Sequence, residues 1–207
     1  MATKPDREEH TVRADESRTN LDLYDNKTYS PQANTLKRSL WYIINILFFI
    51  NPLNPFSGSK TFLLRCFGAG IGRKVTIKPN VNIKHPWLLE IGDYTWIGEG
   101  VWIDNLVMVR IGRNVCVSQG AMLLTGNHDY KKPTFDLITG EIVLQDGVWV
   151  GARAVVCPGI TCQSHSVLAV NSVATQDLQP FSIYQGNPAA KMRERKMRGQ
   201  PKTVSES

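Results

Sequence analysis

The stretch Ile71–Leu124 reads IGRKVTIKPNVNIKHPWLLEIGDYTWIGEGVWIDNLVMVRIGRNVCVSQGAMLL, and its spacing decides the fold. Aliphatic residues recur every six positions: Ile71, Ile77, Ile83; then Ile91, Ile97, Ile103; then Ile111, Val117, Leu123. The period resumes at Leu144 and runs through Val150, Val156, Cys162, Leu168 and Ala174. A small or β-branched residue usually stands four places later, as at Val75, Thr95, Ala121 and Ala154. Six is neither a helical period nor strand alternation. It fits a short strand, a corner and another short strand, three of which make a flat-sided coil. One hexad cannot bury its own apolar face, so stability comes from stacking coil on coil. Two two-residue insertions, before Ile91 and Ile111, leave the register intact modulo one coil. The expectation is an all-β chain: a parallel β-helix of about five coils over residues 71–183.

The period breaks once, between Leu123 and Leu144, where the chain reads LTGNHDYKKPTFDLITGEIV over residues 124–143. A 20-residue loop without evident structure is unusual in a compact domain and is often functional. It holds His128, the histidine flanked by both Asn and Asp.

Outside the coils the chain changes character. Residues 1–34 are polar and mixed in charge, which suits a disordered or draped segment. Within residues 35–70, the run TLKRSLWYIINILFFI over 35–50 reads as a helix ended by Pro52 and Pro55. It is apolar almost all round yet too short to span a bilayer, so it packs on the protein or lies on a membrane surface beside Lys37 and Arg38. Residues 184–207 read as a short C-terminal helix and a basic tail. The net charge is +6, but residues 189–207 alone carry six positive and two negative charges. The excess therefore belongs to a tail and not to a patterned face, which argues against a nucleic-acid partner. The N-terminus lacks an apolar signal region, so a cytoplasmic protein is expected, with peripheral contact to the inner membrane face as the variant. Cys66, Cys116, Cys157 and Cys162 form no CxxC pair and sit among apolar residues, as reduced buried thiols do.

The hexads, the stretch WVGARAVVCPGI (Trp149–Ile160) and the ending YQGNPAAKMRER (Tyr184–Arg195) resemble the hexapeptide-repeat acyltransferases, in particular their sugar O-acetyltransferase branch. The stretch DNLVMVRIGRNVCVSQGAMLLTGNHDY (Asp104–Tyr130) is similar to the colanic-acid and exopolysaccharide type. The resemblance implies a left-handed coil, against the usual right-handed crossover preference. It also implies a homotrimer with grooves between subunits, acetyl-CoA as donor, and a saccharide hydroxyl as acceptor.

Acyl transfer to an alcohol needs a base for the hydroxyl proton, a stabiliser for the oxyanion, and alignment of thioester and acceptor. Histidine is the side chain that ordinarily changes charge near neutral pH. His128 matches the family's catalytic histidine and would deprotonate the acceptor for direct attack. Asp104 and Asn105, at a corner one coil earlier, are candidates for acceptor binding. Asn127, Asp129 and Tyr130 are candidates to orient His128 or the sugar, and Trp149 matches the aromatic beside the site. On the donor side Ala152 matches a position whose N–H lies near the thioester, and Val170 and Thr175 fall at groove positions. Gln176 stands where the family has a lysine, and Ala190 replaces a second basic residue, with Lys191 adjacent. Arg193 matches a contact to the nucleotide phosphates.

Three rival functions share the fold. A γ-carbonic-anhydrase type zinc site needs three converging histidines. His85, His128 and His165 are the candidates, but the short ligand spacing is missing, so no metal is expected. His85 and His165 read as structural or exposed residues. A non-catalytic trimeric scaffold would need neither the histidine-bearing excursion nor the GNPA ending. Transfer to a non-sugar acceptor such as serine would use the same residues.

Overall fold

The computed structural model describes residues 18–27 and 29–197 of the 207-residue chain. The hexads form three parallel sheets, one on each side of a prism. The first stacks Gly70–Ile71, Leu89–Ile91, Val109–Ile111, Ile142–Leu144 and Thr161–Cys162. The second stacks Thr76–Ile77, Trp96–Ile97, Cys116–Val117, Trp149–Val150 and Val167–Leu168, followed by Ser182–Gly186. The third stacks Asn82–Ile83, Trp102–Asp104, Met122–Leu124, Val155–Val156 and Val173–Ala174. Five coils are complete, and the second sheet adds a strand of a sixth, slightly more than the spacing suggested.

The register explains the sequence. Ile77 pairs with Ile97, Ile97 with Val117, Val117 with Val150, and Val150 with Leu168. All five side chains are buried in one continuous core. Burying an aliphatic side chain contributes about 1.5–3 kcal/mol, so the stacked column is the main source of cohesion. Left-handed backbone recurs at two of the three corners. Lys74, Tyr94, Asn114 and His165 adopt it between the first and second sheets, and Asn80, Gly100, Gly120, Arg153 and Asn171 between the second and third. Close stacking leaves no room for a side chain at Gly92, where a Cβ would lie 2.6 Å from the carbonyl carbon of Gly112.

The third corner, from the third sheet back to the first, is where the period lengthens. His85–Leu88, Asn105–Met108 and residues 125–141 all pass there, one above another. The excursion is not the structureless loop its sequence suggested. Gly126–His128 pairs antiparallel with Leu137–Thr139, bringing His128 opposite Leu137.

Two helices flank the first coils. Helix α1 (Thr35–Ile44) is capped by Asn34, whose Oδ1 accepts from Lys37 N at 2.9 Å, and continues as a π-helical turn over Asn45–Ile50. Its indole at Trp41 donates to Ile83 O at 2.8 Å, fixing it against the third sheet. Helix α2 (Ser57–Cys66) occupies what read as a linker. Lys60 of α2 is fully buried, with its amine 2.9 Å from Lys78 O, so it closes carbonyls at the start of the stack. No helix among the described residues is long and apolar enough to cross a membrane.

The expected C-terminal helix is a strand. Ala189–Glu194 pairs antiparallel with Ser182–Gly186 at the end of the second sheet. An open sheet end presents unpaired N–H and C=O groups, and satisfying them outweighs the helical propensity of AAKMRE. Part of the basic tail, residues 198–207, and the first 17 residues lie outside the described residues.

Candidate active site

A buried polar ladder holds the third corner in shape. Asn105 is fully buried. Its Nδ2 donates to His85 O at 2.6 Å and to Leu88 O at 3.0 Å, and its Oδ1 accepts from His85 N at 3.0 Å. One coil on, the buried Thr125 donates through Oγ1 to Asp104 O at 2.9 Å and accepts from Leu106 N at 2.8 Å. Asn105 therefore has nothing left to offer an acceptor. It clamps the corner that carries His85, and this corrects the substrate-binding expectation. At Gly126 a Cβ would sit 2.6 Å from Leu106 Cδ1, so the hairpin lies close on that corner and a larger residue there would push the Leu106 side chain aside.

The hairpin presents His128 half-buried. Its Nδ1 lies 2.9 Å from Phe135 O. A carbonyl can only accept, so Nδ1 carries the proton and Nε2 of the neutral ring keeps its lone pair. Phe135 also stacks on the imidazole, with centroids 4.4 Å apart at 11°, and Tyr24 meets it edge-on at 5.8 Å. Phe135 has φ 52°, a left-handed conformation that is costly for an aromatic residue and turns its carbonyl to the ring.

The expected orienters are spent elsewhere. Asn127 Oδ1 accepts from His128 N, and Asp129 Oδ1 accepts from Lys131 N. Tyr130 is exposed. The sequence reading missed Phe135, because a backbone carbonyl has no sequence signature.

His128 opens into a cavity of about 380 Å³. Asp104 is among its lining residues, together with residues that sequence spacing did not connect with the site: Lys84, His85, Arg38, Tyr24 and Tyr29. The last two come from the N-terminal segment, which drapes over the hairpin and is pinned by Asn20 N to Pro133 O at 2.8 Å. Lys84 Nζ sits 2.8 Å from Asp104 Oδ1. That oxygen is buried and has no other partner among the described residues, so the Lys84 ammonium holds the carboxylate in place. His85 is buried and stacked on Trp87, and its Nδ1 lies 3.5 Å from Tyr29 Oη. Burial, reinforced by the Lys84 charge, lowers its pKa to about 4 and keeps it neutral.

The donor-side candidates stand on other faces. Trp149 lies on the second sheet, half-exposed, its Nε1 donating to Ser118 Oγ at 2.9 Å. Ala152 and Val170 flank the corner between the second and third sheets, and Val170 is exposed. Thr175 and Gln176 follow the last strand of the third sheet and are exposed. Lys191 is engaged by Glu194 at 2.6 Å and by Gln179 at 2.9 Å. Arg193 is exposed, with no acidic partner among the described residues. None of these residues lines the His128 cavity within one chain. Arg195, which sequence reading passed over, is structural: its Nη1 donates to Gly147 O and His165 O. Among the described residues, no three His, Cys, Asp or Glu side chains are grouped as metal ligands.

A prism of stacked hexads with a histidine hairpin at one corner defines a class of enzymes, and comparison with known proteins agrees. The chain is 35% identical over 163 residues to a protein of Escherichia coli (strain K12) named as the colanic acid biosynthesis acetyltransferase WcaF, covering 79% of this chain and 90% of that one. It is 26% identical over 135 residues to the galactoside O-acetyltransferase of the same strain, covering 64% of this chain and 66% of that one. Among solved structures it matches the hexapeptide-repeat acetyltransferase VCA0836 of Vibrio cholerae O1 biovar eltor in complex with acetyl-CoA, with TM-score 0.70 and 28% identity. That match covers 78% of this chain and 88% of the other. No protein-family model matches the chain. The chain belongs to the hexapeptide-repeat acetyltransferases, the family that includes WcaF, and its fold is their left-handed β-helix.

Proposed function

We propose that this protein is an acetyl-CoA-dependent O-acetyltransferase that modifies a sugar hydroxyl during exopolysaccharide biosynthesis. The observation that carries the reading is the hydrogen bond from His128 Nδ1 to Phe135 O, which leaves Nε2 as a base at the mouth of a polar cavity. The names of the relatives support the chemistry: acetyl-CoA is bound to VCA0836, and the E. coli relatives are named for colanic acid and for galactoside.

In this reading the acceptor hydroxyl gives its proton to His128 Nε2 as its oxygen attacks the thioester carbonyl. The tetrahedral intermediate collapses, the carbon–sulfur bond breaks, and the imidazolium returns the proton to the departing CoA sulfur. Phe135 O stabilises the imidazolium while it lasts. Asp104 accepts from a second sugar hydroxyl, with Lys84 holding its carboxylate in place. Ala152, Val170, Thr175 and Gln176 line the acetyl-CoA groove, and Arg193 takes the nucleotide phosphates. Lys191 is the weaker candidate because Glu194 already neutralises it.

Base and donor groove lie on different edges of one chain. A homotrimer would bring the groove of one subunit against the hairpin of the next. Exposed large apolar side chains support such pairing: Trp96 and Trp149 on the second sheet, Trp102 and Met122 on the third. The cytoplasm supplies acetyl-CoA, and α1 offers a face for contact with the inner membrane surface.

The test is release of free CoA thiol from acetyl-CoA across a panel of methyl glycosides. His128→Ala should lower kcat by at least about 100-fold, within the usual range for a general base, while trimer mass and CoA affinity stay near wild type. A trimeric His128→Ala protein with near-normal turnover would remove His128 from the mechanism and make Asp104 the next base to test.

A further inference from the structure

The floor and the roof of the His128 cavity are tied to one turn. Pro86–Leu88, at the third corner, is clamped by Asn105, which donates to His85 O and Leu88 O. Its Trp87 stacks on His85, with centroids 5.0 Å apart, and donates through Nε1 to Pro31 O at 2.7 Å. Lys37 of α1 covers the same indole, its Nζ 4.8 Å from the ring centroid. Pro31 belongs to the N-terminal segment, a strap whose other end is bound to the hairpin by Asn20 N to Pro133 O at 2.8 Å. The strap thus bridges the cavity from hairpin to corner, and Tyr24, Asn26, Tyr29 and Pro31 form part of the lining.

Between its anchors the strap turns on itself. Asp22 N and Lys27 N donate to Asn20 Oδ1 and Asp25 Oδ1, and among the described residues no hydrogen bond joins Leu21–Lys27 to the coils. A segment that is exposed and tied only at its ends opens at low cost. Its two tyrosines nevertheless reach the site. Tyr24 meets the His128 ring edge-on at 5.8 Å, and Phe135 already covers one face of that ring. Tyr29 is half-buried, with its Oη 3.5 Å from His85 Nδ1. Burial raises its pKa, so the phenol stays protonated. Whichever atom of the pair donates, one valence of the hydroxyl is turned to His85 and the others can serve a ligand in the cavity.

A neutral imidazole with a bare Nε2 can activate water as well as a sugar hydroxyl. Water would then attack the thioester carbonyl, its proton would pass through His128 to the CoA sulfur, and acetate would leave. Transfer therefore requires that water be kept from the base. We propose that the strap decides between transfer and hydrolysis: Tyr24 shields His128 from water, and the Tyr29 hydroxyl is a further acceptor-binding group that seats the saccharide beneath the strap. The proposal rests on the sugar O-acetyltransferase reading and deepens it.

The test measures thiol release from acetyl-CoA by the full chain, with and without the methyl glycoside that is used best. Tyr24→Ala should raise glycoside-independent release severalfold. Tyr29→Phe should raise KM for the glycoside about fivefold, the loss of one hydrogen bond, with KM for acetyl-CoA unchanged. Both substitutions lie on the strap and should leave trimer mass and Tm as in the wild type. Trp87→Phe keeps a ring over His85 but removes the N–H to Pro31, so trypsin should cut after Lys27 faster than in the wild type, as read by mass spectrometry. Wild-type hydrolysis in Tyr24→Ala, or a wild-type glycoside KM in Tyr29→Phe, would overturn the proposal while His128-dependent transfer left the underlying reading intact. An unchanged rate of cutting in Trp87→Phe would overturn it too, by removing the anchor of the strap. Transfer that survives His128→Ala would strike the underlying reading and the proposal with it.

Discussion

Replacing Asn105 with alanine separates a structural from a substrate-binding role at the third corner. The side chain makes three hydrogen bonds to the backbone of His85 and Leu88, at 2.6, 3.0 and 3.0 Å, and has no exposure. A buried hydrogen bond contributes about 0.5–1.5 kcal/mol net, and orphaned buried partners raise the loss. Partial entry of water would recover some of it. The expected destabilisation is about 3 kcal/mol, which for a protein of this size corresponds to a fall in Tm of roughly 6–12 °C. The measurement is calorimetric or circular-dichroism melting at fixed protein concentration, since oligomer stability depends on concentration. Turnover should fall with saturating acceptor as well, because His85 and the corner under the hairpin lose their anchor. A variant that melts with the wild type and shows only a raised KM for the acceptor would refute the reasoning and return Asn105 to the substrate.

Stability should also depend on pH through His85. Its pKa is lowered in the folded state, from about 6.5 to about 4, so the unfolded chain takes up a proton first as pH falls. The contribution of neutral His85 is fully present above about pH 6.5 and is lost as pH falls towards 4, by about 2 kcal/mol after allowance for solvent screening. Urea melts across that window should flatten in a His85→Gln variant, and an unchanged slope would count against the assignment. Arg193→Ala should raise KM for acetyl-CoA more than KM for the acceptor, and equal changes in steady-state kinetics would reject its phosphate role. Maleimide labelling followed by mass spectrometry should find Cys66, which is exposed, modified first, and Cys162 modified only on unfolding. Burial pushes the Cys162 thiol up to about 12, and labelling of Cys162 in the native protein would contradict that.

The stacked coil was readable because every turn repeats the same local problem. Ile77, Ile97 and Val117 are chemically alike, and each solves the burial of its neighbour. The His128 hairpin was visible as a break in that rhythm, and Asp104 was correctly placed on the corner beneath it. The rest of the cavity was not. Tyr24 and Tyr29 reach the His128 cavity only because their segment drapes across the hairpin, and a polar segment carries no period to announce its path; Arg38 arrives from α1, whose docking on the third sheet the spacing does not show. Asn105 was misread because an amide at a corner serves backbone or ligand equally well until its depth is known. The C-terminal strand was misread for a related reason: AAKMRE has helical propensity, but the open end of the second sheet exerts a demand visible only in three dimensions.

All lengthening of the coil occurs at one corner, and the other two are sealed by left-handed residues and by glycines packed against the next turn. The molecule thus has one editable edge. Residues added at that edge lengthen a loop beside His128 and leave the stacked column in phase, whereas a residue added at either sealed edge would shift every later aliphatic side chain out of the core. Lineages with this architecture can change what enters the cavity by rewriting loop text at that edge, within the limits that the buried Asn105 and Thr125 clamps set on the corner.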